Sequence, residues 1–231
     1  MQDFSEFEKK IDYSFQEKRL LIEAFTHRSY LNENPSWPGA HNERLEFLGD
    51  AVLELIITEH LFFKFPEKPE GELTSLRSAL VNAGMLAQIA RDLEMNNFLL
   101  LSRGEAKDLG RARAYILANA VEAFIGALYL DSGYKITQDF IVKYIASKIG
   151  EVLERHLYRD AKSLFQEQAQ EIAGLTPSYR VLKEWGPDHD KHFVVGIYLN
   201  DELVASGEGP SKQEAEQNAA QNALKLKGWT G

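Results

Sequence analysis

The stretch His41–Ile56, HNERLEFLGDAVLELI, decides how the rest of the chain is read. Wound as a helix at about 100° per residue, it sorts into two sides. Leu45, Leu48, Val52, Leu55 and Ile56 make an apolar stripe that should face a core. Glu43, Glu46, Asp50 and Glu54, spaced i, i+3, i+7, i+11, gather on roughly the opposite side. Like charges three or four apart on a helix repel by about 0.2–0.5 kcal/mol per pair. A hard divalent cation such as Mg²⁺, which takes carboxylate oxygens, is a natural compensation; a solvated acidic face is the plainer alternative, and spacing alone does not go beyond it. Two details point further. Phe47 lies on the carboxylate side, an odd place for a large ring unless another surface covers it. Gly49 sits mid-helix, where it costs about 0.5–1 kcal/mol relative to alanine, which points to a close backbone approach.

The nine contiguous residues Asn42 to Asp50, NERLEFLGD, resemble the signature of the ribonuclease III family, endonucleases that cut double-stranded RNA. A second stretch, Ile116 to Leu130, ILANAVEAFIGALYL, is apolar nearly all round and should be buried. Its strongly polar members are Asn119 and Glu122, three apart on one face. A buried carboxylate is costly unless it is paired or bound to metal. Glu122 either bonds a core partner or, with Asn119, meets Glu46 and Asp50 across a helix contact and closes a metal site; the second reading is favoured.

Around these helices the chain reads as follows. Phe4–Ile11 and Gln16–Thr26 are short amphipathic segments, and Thr26 to Tyr30, THRSY, closes the second. His27 is read as a structural histidine at a helix end, with a proton shuttle as the alternative. Residues 32–40 form a loop with two prolines and a glycine. The signature helix should run to about Phe65, before Pro66. A loop from Pro66 to Gly71 carries Glu70, and one helix then runs from Leu73–Thr74 through Leu93. Leu99–Gly110 is loop-like and, with the residues just beyond it, supplies the basic cluster Arg103, Lys107, Arg111 and Arg113, either solvated or touching an RNA backbone. A helix from Ile136 to Leu157 ends the first domain, 1–157, and residues 158–162 are a linker. In 163–231 the order is helix Ser163–Ala173, strands Tyr179–Trp185, His192–Leu199 and Leu203–Gly207, and helix Lys212 to about Leu226. This α-β-β-β-α order in roughly seventy residues resembles the double-stranded-RNA-binding domain. The expected fold is therefore mainly α: an all-helical ribonuclease III-like catalytic domain followed by that small α-β-β-β-α domain.

Composition sets limits. The chain has 231 residues, 44% hydrophobic and 26% charged, as an ordinary globular protein does. It contains no cysteine, which excludes disulfides, thiolate metal sites and cysteine nucleophiles. The N-terminus has neither a basic nor an apolar targeting region, and no later apolar run is expected to reach membrane-spanning length, so a soluble, cytoplasmic protein is expected. The net charge is −9, with −4 in residues 160–231 and −5 in the remainder. RNA contact must then come from a few well-placed cations and should be weak and salt-sensitive.

The resemblance implies more than the residues alone. By motif, Glu46, Asp50 and Glu122 look like metal ligands at a cleavage centre, with Asp50 and Glu122 as its catalytic pair. Glu43 and Glu70 match accessory acidic positions lining the same valley. The chemistry implied is hydrolysis assisted by Mg²⁺, with Mn²⁺ able to substitute and no small-molecule cofactor. It leaves 5′-phosphate and 3′-hydroxyl ends with short 3′ overhangs, as in ribosomal and messenger RNA processing. Family members act as homodimers, and Phe47 matches a ring that docks in the partner subunit. The family usually has Asp where this chain has Asn119, which still offers a carbonyl oxygen but one charge fewer. An active variant is preferred; an impaired double-stranded-RNA-binding protein is the alternative, and an acidic interaction protein without RNA is a third. In the second domain, Gln166, Glu167 and His189 match groove-contacting positions. Ser211 opens a capping box, SKQE, beside which Lys212 projects at a helix N-terminus suited to phosphate.

Overall fold

The computed structural model describes residues 3–107, 110–154, 161–187 and 191–229, and the chain divides into two compact units, residues 1–158 and 159–231. The described part of the first unit is helical: α1 Ser5–Ile11, α2 Lys18–Ala24, α3 Arg28–Glu33, α4 Glu43–Lys64, α5 Glu70–Val81, α6 Ala83–Asp92, α7 Arg111–Tyr144 and α8 Ile149–Glu154, with short 3₁₀ turns between some of them. The second contains α9 Ala161–Ala173, strands β1 Pro177–Trp185, β2 His192–Leu199 and β3 Glu202–Gly209, and α10 Lys212–Lys227.

The signature helix is α4, and it packs along α7. Two glycines set how closely. A Cβ on Gly49 would stand 1.7 Å from the carbonyl oxygen of Glu122, and one on Gly126 would stand 2.2 Å from that of Leu45. The two backbones therefore touch, glycine against main chain, and the suspicion attached to Gly49 has its cause. This approach turns the buried arc of α4 toward Gly49, Leu53 and Ile57, all enclosed, and leaves Leu55 58% exposed. Leu55 was expected in the core stripe; it lies outside because α7 grips α4 from the carboxylate side. Phenylalanines 4, 7, 25 and 98 stack on one another, and Phe7 and Phe15 reach Phe124 of α7, filling the space on the other side of that helix.

Several boundaries differ from the sequence reading. THRSY opens a helix instead of closing one: His27 is extended at φ −75°, ψ 147°, and its ring accepts from the Ser29 amide at the head of α3. Glu70 is the first residue of α5, which starts directly after the extended Pro69. The helix expected from Leu73 to Leu93 is two, because Asn82 is extended, takes the Met85 amide on its side chain to start α6, and gives its own amide to Ser78 and Ala79 to finish α5. α7 is interrupted at Gly133, whose φ of 78° suits glycine. The stretch Ala112–Glu154 is, by length and a mean hydropathy of 1.3, apolar enough to cross a membrane, contrary to expectation; 61% of its most apolar window is buried inside the protein, as in a core helix.

In the second unit β1, β2 and β3 form an antiparallel sheet in that order, with a two-residue turn at Asn200–Asp201. Phe193, Val195, Ile197 and Leu199 point to one side, toward Phe165 of α9 and the alanines of α10. β3 meets α10 through small residues: a Cβ on Gly207 would stand 2.1 Å from the Ala219 nitrogen, and one on Gly209 2.7 Å from that of Ala215. The linker expected at 158–162 falls largely outside the described residues.

Gly49→Ala should cost upwards of about 3 kcal/mol, because main chain cannot yield to a methyl group. Gly71→Ala, in α5 with nothing within 4 Å, should be neutral or stabilising. Urea unfolding of the two variants checks this, and similar midpoints would remove the close-contact account.

Candidate active site

The glycine contact brings side chains of α4 and α7 together. Glu46 and Asp50, one turn apart on α4, face Asn119 and Glu122 on α7. Glu122 is half-buried, and its carboxyl is pushed up to about 7, first by burial and then by the charges of Asp50 and Glu46. Glu46 is also raised, by burial and by Glu43, while the side-chain amide of Asn119 pulls the other way as a hydrogen-bonding neighbour. Glu46, Asp50, Asn119 and Glu122 therefore form one electrostatic group, as the sequence suggested. Glu43 stands at its rim, where Arg28 holds it at 3.2 Å and His41 lies 3.8 Å away.

Glu70 does not join the group. It is exposed at the head of α5, takes a hydrogen bond from Thr74 at 3.0 Å, and is not among the charges acting on Glu46 or Glu122. Glu70 belongs to α5, with its carboxylate laid along the first turn of that helix toward Thr74.

The donor set suits a hard cation, three carboxylates and an amide oxygen with an excess of negative charge. Among the described residues no three His, Asp or Glu side chains converge into a ready cage. Mg²⁺ does not require one, since it keeps several waters and binds through one or two carboxylates plus substrate.

Phe47, next to Glu46, is 83% exposed and borders a hollow of about 690 Å³ lined by Leu20, Leu45, Leu48 and Leu130 among others. The basic cluster divides. Arg103 and Lys107 are exposed. Arg113 is buried at 8%, donating to Asn96 at 2.7 Å and to the Glu105 carbonyl at 3.4 Å, so it is structural. The side chain of Arg111 lies outside the described residues. His27 caps α3, and burial lowers its pKa, which fits the structural reading.

In the second unit Gln166 and Glu167 are exposed on α9. Ser211 caps α10, accepting from the Glu214 amide at 3.2 Å, and the Lys212 ammonium lies 5.7 Å from the centre of the Phe193 ring. His189 lies outside the described residues. Sequence reasoning missed Gly126 and Asn42. Gly126 carried the signal used for Gly49, a glycine inside a buried helix. Asn42 is buried and gives its amide to the Ala24 carbonyl at 3.3 Å; nothing in its spacing signals that contact.

The raised Glu122 carboxyl has a consequence for stability. In the folded chain it keeps its proton to about pH 7, while the unfolded chain releases it near 4.5. Between these values the unfolded state sheds a proton that the native state retains, so rising pH costs stability. Urea melts of metal-free protein across this range should show that loss, and Glu122→Gln should flatten it. Parallel profiles would mean that burial does not act on this carboxyl.

Comparison with known proteins agrees with the geometry. A ribonuclease-III-like family profile matches residues 17–149, and the double-stranded RNA binding motif matches 161–227. Ribonuclease 3 of Borreliella afzelii is 45% identical over 221 residues, covering 96% of this chain and 90% of that protein. Ribonuclease 3 of Nitratiruptor sp. is 42% identical over 226 residues, covering 98% and 97%. A solved nuclease domain of Campylobacter jejuni ribonuclease III, described with a flexible region involved in dimer formation, is 40% identical with a TM-score of 0.57, covering 63% of this chain and 97% of its own. The chain belongs to the ribonuclease III family of endoribonucleases, and it carries a double-stranded-RNA-binding domain after the nuclease domain.

Proposed function

We propose that this chain cuts double-stranded RNA by metal-assisted hydrolysis, leaving 5′-phosphate and 3′-hydroxyl ends with short 3′ overhangs, in the processing of ribosomal and messenger RNA in the cytoplasm. The observation that carries this is the meeting of Glu46 and Asp50 with Asn119 and Glu122. Glu46, Asp50, Glu122 and the Asn119 carbonyl oxygen would hold Mg²⁺, or Mn²⁺ in its place. That ion would make water nucleophilic near neutral pH and offset charge on the scissile phosphate. The protein's own part is to hold the carboxylates in place on two helices that cannot slide. Glu122, protonated in part near pH 7, gives up its proton when a cation arrives. Glu43 and Glu70 are accessory acidic positions in the same reading, with Glu70 the more remote.

The catalytic domain spans 1–157 and the RNA-binding domain 163–231, joined at 158–162. Gln166, Glu167, His189, Ser211 and Lys212 contact the duplex in the second, and Arg103 and Lys107 offer cations to its backbone in the first. The active unit is a homodimer in which Phe47 enters the partner. The exposure of Phe47 beside an apolar hollow supports this, as does the dimer-forming region described for the Campylobacter jejuni domain. No small-molecule cofactor and no membrane take part. Asn119 is a tolerated ligand, because the three carboxylates around it are intact; impaired catalysis is the outcome that the following test would expose.

Purified protein should cut a long RNA duplex only with Mg²⁺ or Mn²⁺, and Glu122→Gln should lower the rate by at least about a hundredfold, more than loss of an outer-shell partner costs. Binding without cutting in either metal would overturn the nuclease reading. Asn119→Asp should lower the Mg²⁺ concentration for half-maximal cleavage, and an unchanged requirement would take residue 119 out of the ligand set. Phe47→Asp should sediment as a monomer; an intact dimer would place the interface elsewhere.

A further inference from the structure

The segment Phe25–Ser29 is fastened on two sides. Toward the head of α4, the Thr26 carbonyl accepts from the Asn42 amide at 2.9 Å. Toward the chain that follows α6, the Leu100 amide donates to the Phe25 carbonyl at 2.8 Å, and the His27 amide donates to the Leu100 carbonyl at 3.0 Å. One side chain extends this link into the 100–107 loop. The Ser102 amide donates to the Ser29 hydroxyl oxygen at 3.1 Å, and that oxygen lies 2.8 Å from His27 Nδ1. The Ser29 amide donates to the same nitrogen at 3.3 Å. With Nδ1 as acceptor, the Ser29 proton points to the ring and an oxygen lone pair is left for Ser102.

Beyond Ser102 the loop stays tied. The Arg103 amide donates to both oxygens of Glu33, at 3.1 and 3.3 Å. The Glu105 amide donates to Ser102 Oγ at 3.2 Å, and the Glu105 carbonyl takes Arg113 from the first turn of α7. The chain of bonds thus runs from the head of the helix bearing Glu46 and Asp50, through the loop, to the helix bearing Asn119 and Glu122. The bonds described use the main chain of this loop and the Ser102 hydroxyl, and the side chains of Arg103 and Lys107 are left exposed.

We infer that Ser29 is a positioning residue: its hydroxyl latches the 100–107 loop to the head of α4 and so fixes where Arg103 and Lys107 meet the RNA backbone relative to the carboxylates. This rests on the nuclease reading above. A latch differs from mere support in being coupled to what it holds, and coupling is measurable.

The test uses the full chain with Ser29→Ala, Arg103→Ala/Lys107→Ala and their combination. Hydrogen exchange should speed up at the Ser102 and Arg103 amides in Ser29→Ala while the melting temperature stays within a few degrees, as expected for one lost hydrogen bond. On duplex RNA, kcat/KM should fall about fivefold in Ser29→Ala. In the combination it should fall less than about twofold beyond Arg103→Ala/Lys107→Ala, since an unlatched loop without its cations has nothing left to misplace. Ser29→Thr, which keeps the hydroxyl, should restore both exchange and rate. Unchanged exchange in Ser29→Ala, or effects that multiply in the combination, would overturn the latch. If the unaltered chain fails to cut duplex RNA, the nuclease reading fails and the exchange measurement still decides whether Ser29 holds the loop.

Discussion

Everything in the nuclease unit depends on the contact between α4 and α7, where Gly49 lies on the Glu122 carbonyl and Gly126 on that of Leu45. Helices with ordinary side chains at the contact pack about 8–10 Å apart. Glycine at both crossing points removes the spacer, and main chain meets main chain. The same residues that close this contact bracket the acidic ones: Glu46 and Asp50 flank Gly49, and Glu122 lies one turn before Gly126. Proximity of the carboxylates follows from the backbone and needs no attraction between them.

That arrangement is electrostatically unfavourable by itself. Charges that would drift apart on a mobile surface are held within reach of each other, and the least solvated of them, Glu122, responds by keeping its proton. The Asn119 amide eases Glu46, and Arg28 occupies Glu43. The energy of holding the group together comes from apolar packing elsewhere, from the ring cluster behind α7 and the leucines and isoleucines of α4. Folding energy gathered in the core is thereby stored as charge repulsion at the surface.

Much of this was legible in the sequence. The period of α4, the spacing of its carboxylates and the polar pair in an apolar helix pointed to the four residues that meet across α4 and α7, and the α-β-β-β-α order identified the second unit. The failures have local causes. Leu55 was placed in the core because an ideal helix shows one apolar arc, while the arc actually buried is turned by whichever neighbour approaches closest. Asn82 ends one helix and begins the next through its side chain, and the nearby Gly84 falls inside α6 instead of at the break. Glu70 followed two prolines and preceded a glycine, so a loop was the natural reading, yet the extended backbone of Pro69 delivers the chain directly into a helix. Arg113 looked like its basic neighbours until burial distinguished it. Periodicity reports the first turn of contact around an element; which polar residue is enclosed depends on chain that lies far away in sequence.

The seam between β3 and α10 has a consequence for how the RNA-binding domain can vary. What a side chain at Gly207 would strike is the backbone of Ala215, Asn218 and Ala219, and at Gly209 that of Glu214 and Ala215. The neighbouring side chains at Ala215 and Ala219 are already methyl groups, so no further trimming could make room. A defect at either glycine therefore has no second-site suppressor within the seam: reversion is the one local remedy. The line of glycines facing alanines therefore admits no larger side chain from either element.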